Sequence, residues 1–226
     1  MLSRFGAGFV GLTAALCLLG GPQAARAADD GLHTEIIRLE HEWAHIKYQV
    51  KDADAQTTQI SALAEDAAKL AARYPGSAEP LVWEGVITSS EAGIVGGLSA
   101  LRYVRQAREL LEKAGGIDPR ALNGAVPTSL GALYYMVPGF PLSFGDNGKA
   151  RRYLEEGIAI SPDGMDSNFF YGDFLYQQGE YLKAKNVLTH ALEAPPNTAR
   201  PVWDAGRREE VKALLGKVQK ELVASK

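Results

Sequence analysis

The feature that most constrains this chain is a spacing of small residues that returns three times. The stretch "FFYGDFLYQQGEYLKAKNVLTHALEAPP" carries Tyr171-Gly172, Leu175, Gly179, Tyr181, Ala184, Leu188, Ala191 and Pro196. One unit earlier, "LGALYY" and "GKARRYLEEGIAISP" carry Gly131, Tyr134, Ala150, Leu154, Gly157 and Pro162. Earlier still, "WEGVIT" and "RQARELLEKAGGIDP" carry Gly85, Ala107, Leu111, Ala114 and Pro119. The closing prolines recur at intervals of 43 and 34 residues. Such a recurrence demands one repeated supersecondary unit. Gly172 lets two helices approach closely, and Gly179 turns the chain between them. Ala184 and Ala191 place small side chains on one face, Leu188 fills the seam, and the proline ends the second helix.

The segments around these positions have helical period, and strand signals are nearly absent. A first helix is expected over 33–50 and a second over 57–73, ended by Tyr74-Pro75-Gly76. "SAEPLVWEGVITSSEAG" is a third, with Ser77 as its expected cap and Pro80 tolerable in the first turn. Helices then alternate with breaks at Gly96-Gly97, Gly115-Gly116, the loop "VPGFPLSFGDN", Pro162, Gly179 and Pro195-Pro196. A last helix runs from about Asp204, read as its N-cap, towards Leu222.

The repeated pattern resembles the tetratricopeptide repeat (TPR), a helical hairpin of about 34 residues. The resemblance covers most of residues 40–196, with hairpin-like pairs at about 40–75, 78–119, 125–162 and 165–196 and a capping helix at about 204–222. It implies an all-α, right-handed helical-hairpin solenoid with a concave binding face. Two pairs depart from the pattern. About ten extra residues separate Gly85 from Ala107, and about seven extra separate Gly131 from Ala150. These long inter-helix insertions are expected to map to one face.

The amino terminus carries Arg4, an apolar run from Phe5 to Gly20 and Ala25-Arg26-Ala27. The run is short and glycine-rich for a membrane span, and the Ala-x-Ala step fits a signal peptidase site. Residues 1–27 therefore read as a secretory signal, and 28–226 as a single helical domain. A retained N-terminal anchor is the alternative. Lipidation of Cys17 is disfavoured by Leu16 before it. Of the 24 Lys and Arg, Arg4 and Arg26 leave with the signal, so 22 cations face 27 acids for a mature charge of −5. That balance, with no basic run, argues against nucleic acid and anionic membrane surfaces. Cys17 is the only cysteine, so the mature chain has no disulfide and no thiolate chemistry. An exported, cysteine-free chain fits a bacterial periplasm.

Within the first helix, His41-Glu42-Trp43-Ala44-His45 spells HExxH, the helix signature of zinc peptidases. At 100° per residue, Ile36, Leu39, Trp43, Ile46 and Val50 form one stripe, and the two histidines fall roughly 160° to either side of Trp43. No histidine stands where HxxGxxH needs a third ligand, and Glu65 lies in an ordinary amphipathic helix. The expectation is a polar helix face, with no catalytic residue, metal or cofactor. A zinc metallopeptidase is the remote alternative.

Binding candidates cluster elsewhere. Tyr134 and Tyr135 belong to an aromatic run read first as core. Phe140 and Phe144 lie in a loop stiffened by Pro138 and Pro141, with Asp146 at its end, so they either form a lid or meet a partner. Trp203 is expected to seal the end of the stack. Arg207 and Arg208 are either a solvated face or a bidentate clamp on a carboxylate. The whole reads as a non-catalytic interaction module or scaffold of the cell envelope, holding a peptide or protein surface in a helical groove. The runner-up is a ligand-binding accessory of a solute transport system, whose insertions close a pocket over a small apolar ligand.

Overall fold

The structure is a computed structural model that describes residues 22–224. Residues 1–21 of the expected export signal lie outside the described residues. Nine helices make up the described chain: α1 (Pro22–Tyr48), α2 (Ala53–Arg73), α3 (Ala78–Val95), α4 (Ala100–Ile117), α5 (Ala121–Met136), α6 (Asn147–Ile160), α7 (Met165–Gln177), α8 (Tyr181–Glu193) and α9 (Pro201–Ala224). Among the described residues there is no strand, only a single bridge pairing of Gly139 with Gly145. Among the described residues, no helix is long and apolar enough to cross a membrane.

The helices pair as antiparallel hairpins, and the small residues do what their spacing implied. A Cβ built on Gly85 would stand 2.9 Å from Leu111 Cγ, one on Gly131 2.6 Å from Leu154 Cγ, and one on Gly172 2.5 Å from Leu188 Cγ. In these three hairpins the glycine of the first helix thus seats the leucine of the second. Ala107, Ala150 and Ala184 are fully buried one turn before those leucines, and Ala114 and Ala191 one turn after. In the middle hairpin that last place is Gly157, against Thr128 of α5. A larger residue at any of these sites would push the helix axes apart.

The first insertion lengthens helices rather than making a loop. α3 and α4 each run 18 residues, against 13 each for α7 and α8. They are joined through Gly96 and Gly97, both with φ near +60°. The second insertion is the loop 137–146. Gly145 N–H donates to Pro138 O at 3.0 Å, Asp146 N–H to Tyr134 O at 2.8 Å, and Arg105 Nη2 to Leu142 O at 3.2 Å.

Two cap readings are revised. At α2, Asp52 makes a side-chain cap, accepting from Ala55 N–H at 2.8 Å. Ser77 occupies the N-cap position of α3 without a cap bond. Helix α9 starts three residues before Asp204, at Pro201, whose missing N–H costs nothing in a first turn. Asp204 instead accepts from Asn197 N–H at 3.0 Å and pairs with Arg208 at 2.9 Å. In α5, Leu122, Asn123 and Gly124 all have positive φ, so the regular helix begins after them and Pro127 falls in its first turn.

The stack also closes on itself. The first helices of the hairpins touch in order, α1 to α3, α3 to α5, α5 to α7, and α7 to the final helix α9. Helix α9 then packs back against α1. Five helices form an inner ring, with α2, α4, α6 and α8 behind them. Gly206 makes the closure possible: a Cβ there would clash with the Tyr48 ring, 2.5 Å from its Cγ. Val211, Leu214 and Val218 of α9 share one buried cluster with Leu39, Trp43 and Ile46 of α1.

Candidate functional site

The inner ring encloses a cavity of about 940 Å³. Its walls come from α1, α3, α5, α7 and α9, the start of α4 and the inter-helix turns, and no residue of α2, α6 or α8 takes part. The volume lies at the upper end of the range for small-molecule or short-peptide sites.

The walls are of two kinds. On the side of α3, α4 and α5, the lining is apolar or hydroxylic apart from the Asn123 amide: Val86, Leu101, Leu133 and Met136 among the apolar, Ser89 and Ser129 among the hydroxyls. No charged residue lines that side. Every charged lining residue comes from α1, α7 or α9 and its approach: Glu40, Lys47, Asp166, Arg200, Asp204 and Arg207. The charges follow the α1–α9 seam. Glu40 pairs with Arg200 across it. Lys47 Nζ lies 3.1 Å from Glu210 Oε1, and Tyr48 Oη donates to Glu210 Oε2 at 3.1 Å.

Arg207 is the most enclosed of these groups, with its side chain 3% exposed. It donates to Glu210 Oε2 at 2.7 Å, and its guanidinium lies 4.4 Å from the Phe169 ring and 4.9 Å from that of Phe170. Its Nε stands 2.7 Å from Asp166 Oδ1, close as an ion pair but misaligned for a hydrogen bond. Burial pushes its pKa down, but Asp166, Tyr48 and Glu210 outweigh that and hold it above the usual arginine value. Its neighbours lose. Lys47 is pushed down to about 8, first by burial and then by repulsion from Arg207, with Glu210 pulling the other way. Arg200 is pushed down to about 10 by burial and by Arg207.

Three indoles stand in the walls. Trp43 packs edge-on to Trp83 at 5.8 Å and donates to Ser90 Oγ at 2.8 Å. Arg200 covers Trp203 at 4.1 Å. The Nε1 groups of Trp83 and Trp203 are buried with no hydrogen-bond acceptor.

Of the residues singled out from sequence, Trp203 and Arg207 line the cavity. Arg208 turns away to tie down the end of α8, donating to Leu192 O at 3.1 Å and Ala194 O at 2.6 Å, so the two arginines form no joint clamp. Tyr134 stacks on Tyr153 at 5.6 Å, and Tyr135 donates to Asp173 Oδ2 at 2.8 Å; both are buried between helices. The loop splits its two phenylalanines. Phe144 packs on Tyr134 at 5.4 Å beneath Arg108, whereas Phe140 is 93% exposed. Asp146 caps α6 by accepting from Lys149 N–H at 2.9 Å, a bond that holds its carboxyl below the ordinary value. Leu98, Met136 and Leu142, all exposed, stand where the cavity opens.

The HExxH residues divide among different tasks. His41 Nε2 lies 2.8 Å from Ala199 O, across the seam. His45 Nδ1 lies 2.7 Å from Gln49 Oε1, and Glu42 accepts from Arg38 at 2.9 Å. Among the described residues, no group of three or more His, Cys, Asp or Glu is arranged to hold a metal. Trp43, between the histidines, is the member that reaches the cavity.

No known family profile matches this sequence, and no curated protein matches it. Among solved structures, TTC0263, a thermophilic TPR protein of Thermus thermophilus, superposes with a TM-score of 0.54 at 16% identity, over 88% of this chain and 95% of that one. MamA gives a TM-score of 0.44 at 17% identity, over 78% of this chain and 97% of the other. With the three glycine–leucine seats, the likeness to TTC0263 makes the fold of this chain that of the TPR-like helical repeats.

Proposed function

We propose that this chain is a non-catalytic binding module of a bacterial cell envelope, exported by residues 1–27, which takes a segment of a partner protein into the cavity of its inner ring. The observation that carries this reading is the construction of that cavity. Alternate helices of the stack all turn their inner faces to it, and exposed Leu98, Met136 and Leu142 stand at its opening. Exposed apolar side chains at the mouth of a preformed concavity are what a peptide-binding site requires.

The test is site-specific photo-crosslinking in producing cells, with the probe at Met136 or Ser129 and, as control, at exposed Lys185 on the outer face of α8. A discrete adduct from the cavity positions and none from Lys185 is the expected outcome. Adducts confined to the outer face would overturn it. Cell fractionation, with N-terminal sequencing of the mature protein from Ala28, tests the export half of the proposal.

A second reading is favoured by one observation, the contact of α9 with α1 that turns a groove into an enclosed chamber. A chamber suits a ligand-binding accessory of a solute transport system. Native mass spectrometry separates the two: a co-purifying small molecule favours the accessory, an empty chain the partner-binding module.

A further inference from the structure

The chemistry of the cavity is lopsided in a way that specifies its occupant. One wall, from α3 to α5, offers apolar side chains, hydroxyls and the Asn123 amide, and the wall made by α1, α7, α9 and its approach holds all the charge. An occupant that satisfies both walls is amphipathic. The sign of its polar end follows from the hydrogen-bond inventory. Each acid of the seam already has a cation: Glu40 has Arg200, Asp166 has Arg207, Asp204 has Arg208, and Glu210 has Lys47 and Arg207. Unfilled capacity lies with the donors. Trp83 Nε1 and Trp203 Nε1 are buried without a hydrogen-bond acceptor, whereas Arg200 Nε and Arg207 Nε already face the carboxylates of Glu40 and Asp166 as ion pairs.

Buried donors without acceptors are costly, and an occupant that brings acceptor oxygens relieves them. Lys47 and Arg200 are the cations it can reach, their side chains 30% and 22% exposed. Arg207, enclosed behind them, repels both, and a negative charge placed between them offsets that repulsion.

We propose that the cavity binds an apolar carboxylate, its hydrocarbon body on the α3–α5 wall and its carboxylate against Lys47 and Arg200 at the α1–α9 seam. Either a free acid or the C-terminus of a partner ending in apolar residues brings that chemistry. The proposal rests on the reading of the cavity as the binding site and adds the chemistry that fills it.

Calorimetric titration of the full chain with paired probes tests it. Decanoate is compared with decan-1-ol, and a short peptide ending Leu-Phe with a free carboxylate is compared with its C-terminal amide. The acid of at least one pair is expected to bind about tenfold tighter than its neutral twin, the size of one charge-assisted contact. Decanoate prevailing identifies a free acid, and the peptide prevailing identifies a partner tail. Lys47→Met and Arg200→Gln should each lose most of that preference, and Lys185→Met none, with circular dichroism reporting the fold of each variant. Binding of the preferred acid should weaken as pH rises through about 8, where Lys47 loses its proton among Arg207, Asp166, Glu210 and the rings of Trp43 and Tyr48. Equal binding of acid and neutral twin, or acid binding indifferent to Lys47→Met and Arg200→Gln, overturns the proposal. Failure of every probe while Met136 still cross-links in cells overturns it and leaves the cavity's role standing; loss of the cross-link as well removes both.

Discussion

Replacing Gly131 by alanine tests the hairpin packing on which the whole stack depends. The added methyl would sit 2.6 Å from Leu154 Cγ, 2.9 Å from its Cδ2 and 3.1 Å from its backbone nitrogen. Ordinary carbon contacts lie near 3.5–4.0 Å, so about 1 Å of clearance is missing. Leu154 is 1% exposed and cannot swing into solvent, and the nearby backbone nitrogen moves only with α6 itself. Overpacking of this kind costs about 1–3 kcal/mol. Against it stands the gain from removing a helical glycine, about 0.5–1 kcal/mol. The net expectation is a loss of about 1–2 kcal/mol, or a fall of about 3–6 °C in melting temperature for a chain of this size. Gly216 is the internal control. It lies inside α9 with nothing within 4 Å of its missing methyl, so Gly216→Ala should gain about 0.5–1 kcal/mol. Urea unfolding of both variants, with the slope m checked for constancy, reads the difference. If Gly131→Ala matched the wild type or gained stability alongside Gly216→Ala, the seat of Leu154 on Gly131 would be wrong, and with it the reason for the repeat.

The two loop phenylalanines should separate cleanly by thermal melting. Phe144→Ala removes a half-buried ring from Tyr134 and Arg108 and should cost about 1–2 kcal/mol, whereas Phe140→Ala should stay within about 0.5 kcal/mol of wild type; equal losses would place Phe140 in the packing. Stability at alkaline pH should report Lys47. Its pKa of about 8 in the fold lies below the ordinary value near 10.4, so above pH 8 the unfolded chain binds the extra proton and stability rises with pH. Urea titrations of wild type and Lys47→Met between about pH 7.5 and 9.5 should show the wild type gaining on the variant, and a pH-independent gap would mean that Lys47 is not buried. The window stops there because Tyr48, whose phenol is held above its ordinary value by burial, acts in the opposite sense once unfolded tyrosines ionise.

The parts of this architecture that the sequence disclosed are those set by short-range spacing. Gly172 and Leu188 lie 16 residues apart in one hairpin, and their contact follows from two helical faces and one turn. The inner-wall residues obey no such local rule. Lys47, Trp83, Asp166 and Arg200 sit on four separate stretches of chain, and each looks locally like an ordinary helix or turn residue. They meet because hairpins stack with a fixed offset, a property of inter-repeat packing that no single repeat encodes. Arg207 and Arg208 show the same limit. Their adjacency invited a joint clamp, yet neighbouring helical positions diverge by about 100°, which sends one to the cavity and the other to the end of α8. One available signal went unused. Gly206 interrupts a helical pattern, "PVWDAGRREE", where a glycine costs stability unless something packs against it. Its partner is Tyr48, 158 residues earlier, in the segment that HExxH had drawn attention to for another reason.

That partnership changes how the insertions act. In an open solenoid, a long loop beside the groove is free to fold over it or to reach outwards. Here the contact of α9 with α1 already fixes the diameter of the inner ring, and Gly206 against Tyr48 leaves that seam no slack. The turn between the lengthened α3 and α4 adds Leu98 to the lining, and the loop 137–146 adds Leu142. Both insertions therefore contribute exposed apolar side chains to the chamber's lining. The charges of the seam lie among helices that hold them apart from bulk water and strengthen their interactions. The added rim supplies apolar surface that water covers when the chamber is empty. On the proposal of an apolar carboxylate, length and polarity act together: an occupant that fails to reach both Lys47 and Leu142 leaves either the donors or the apolar lining uncovered, and forfeits the stabilisation of one or the other.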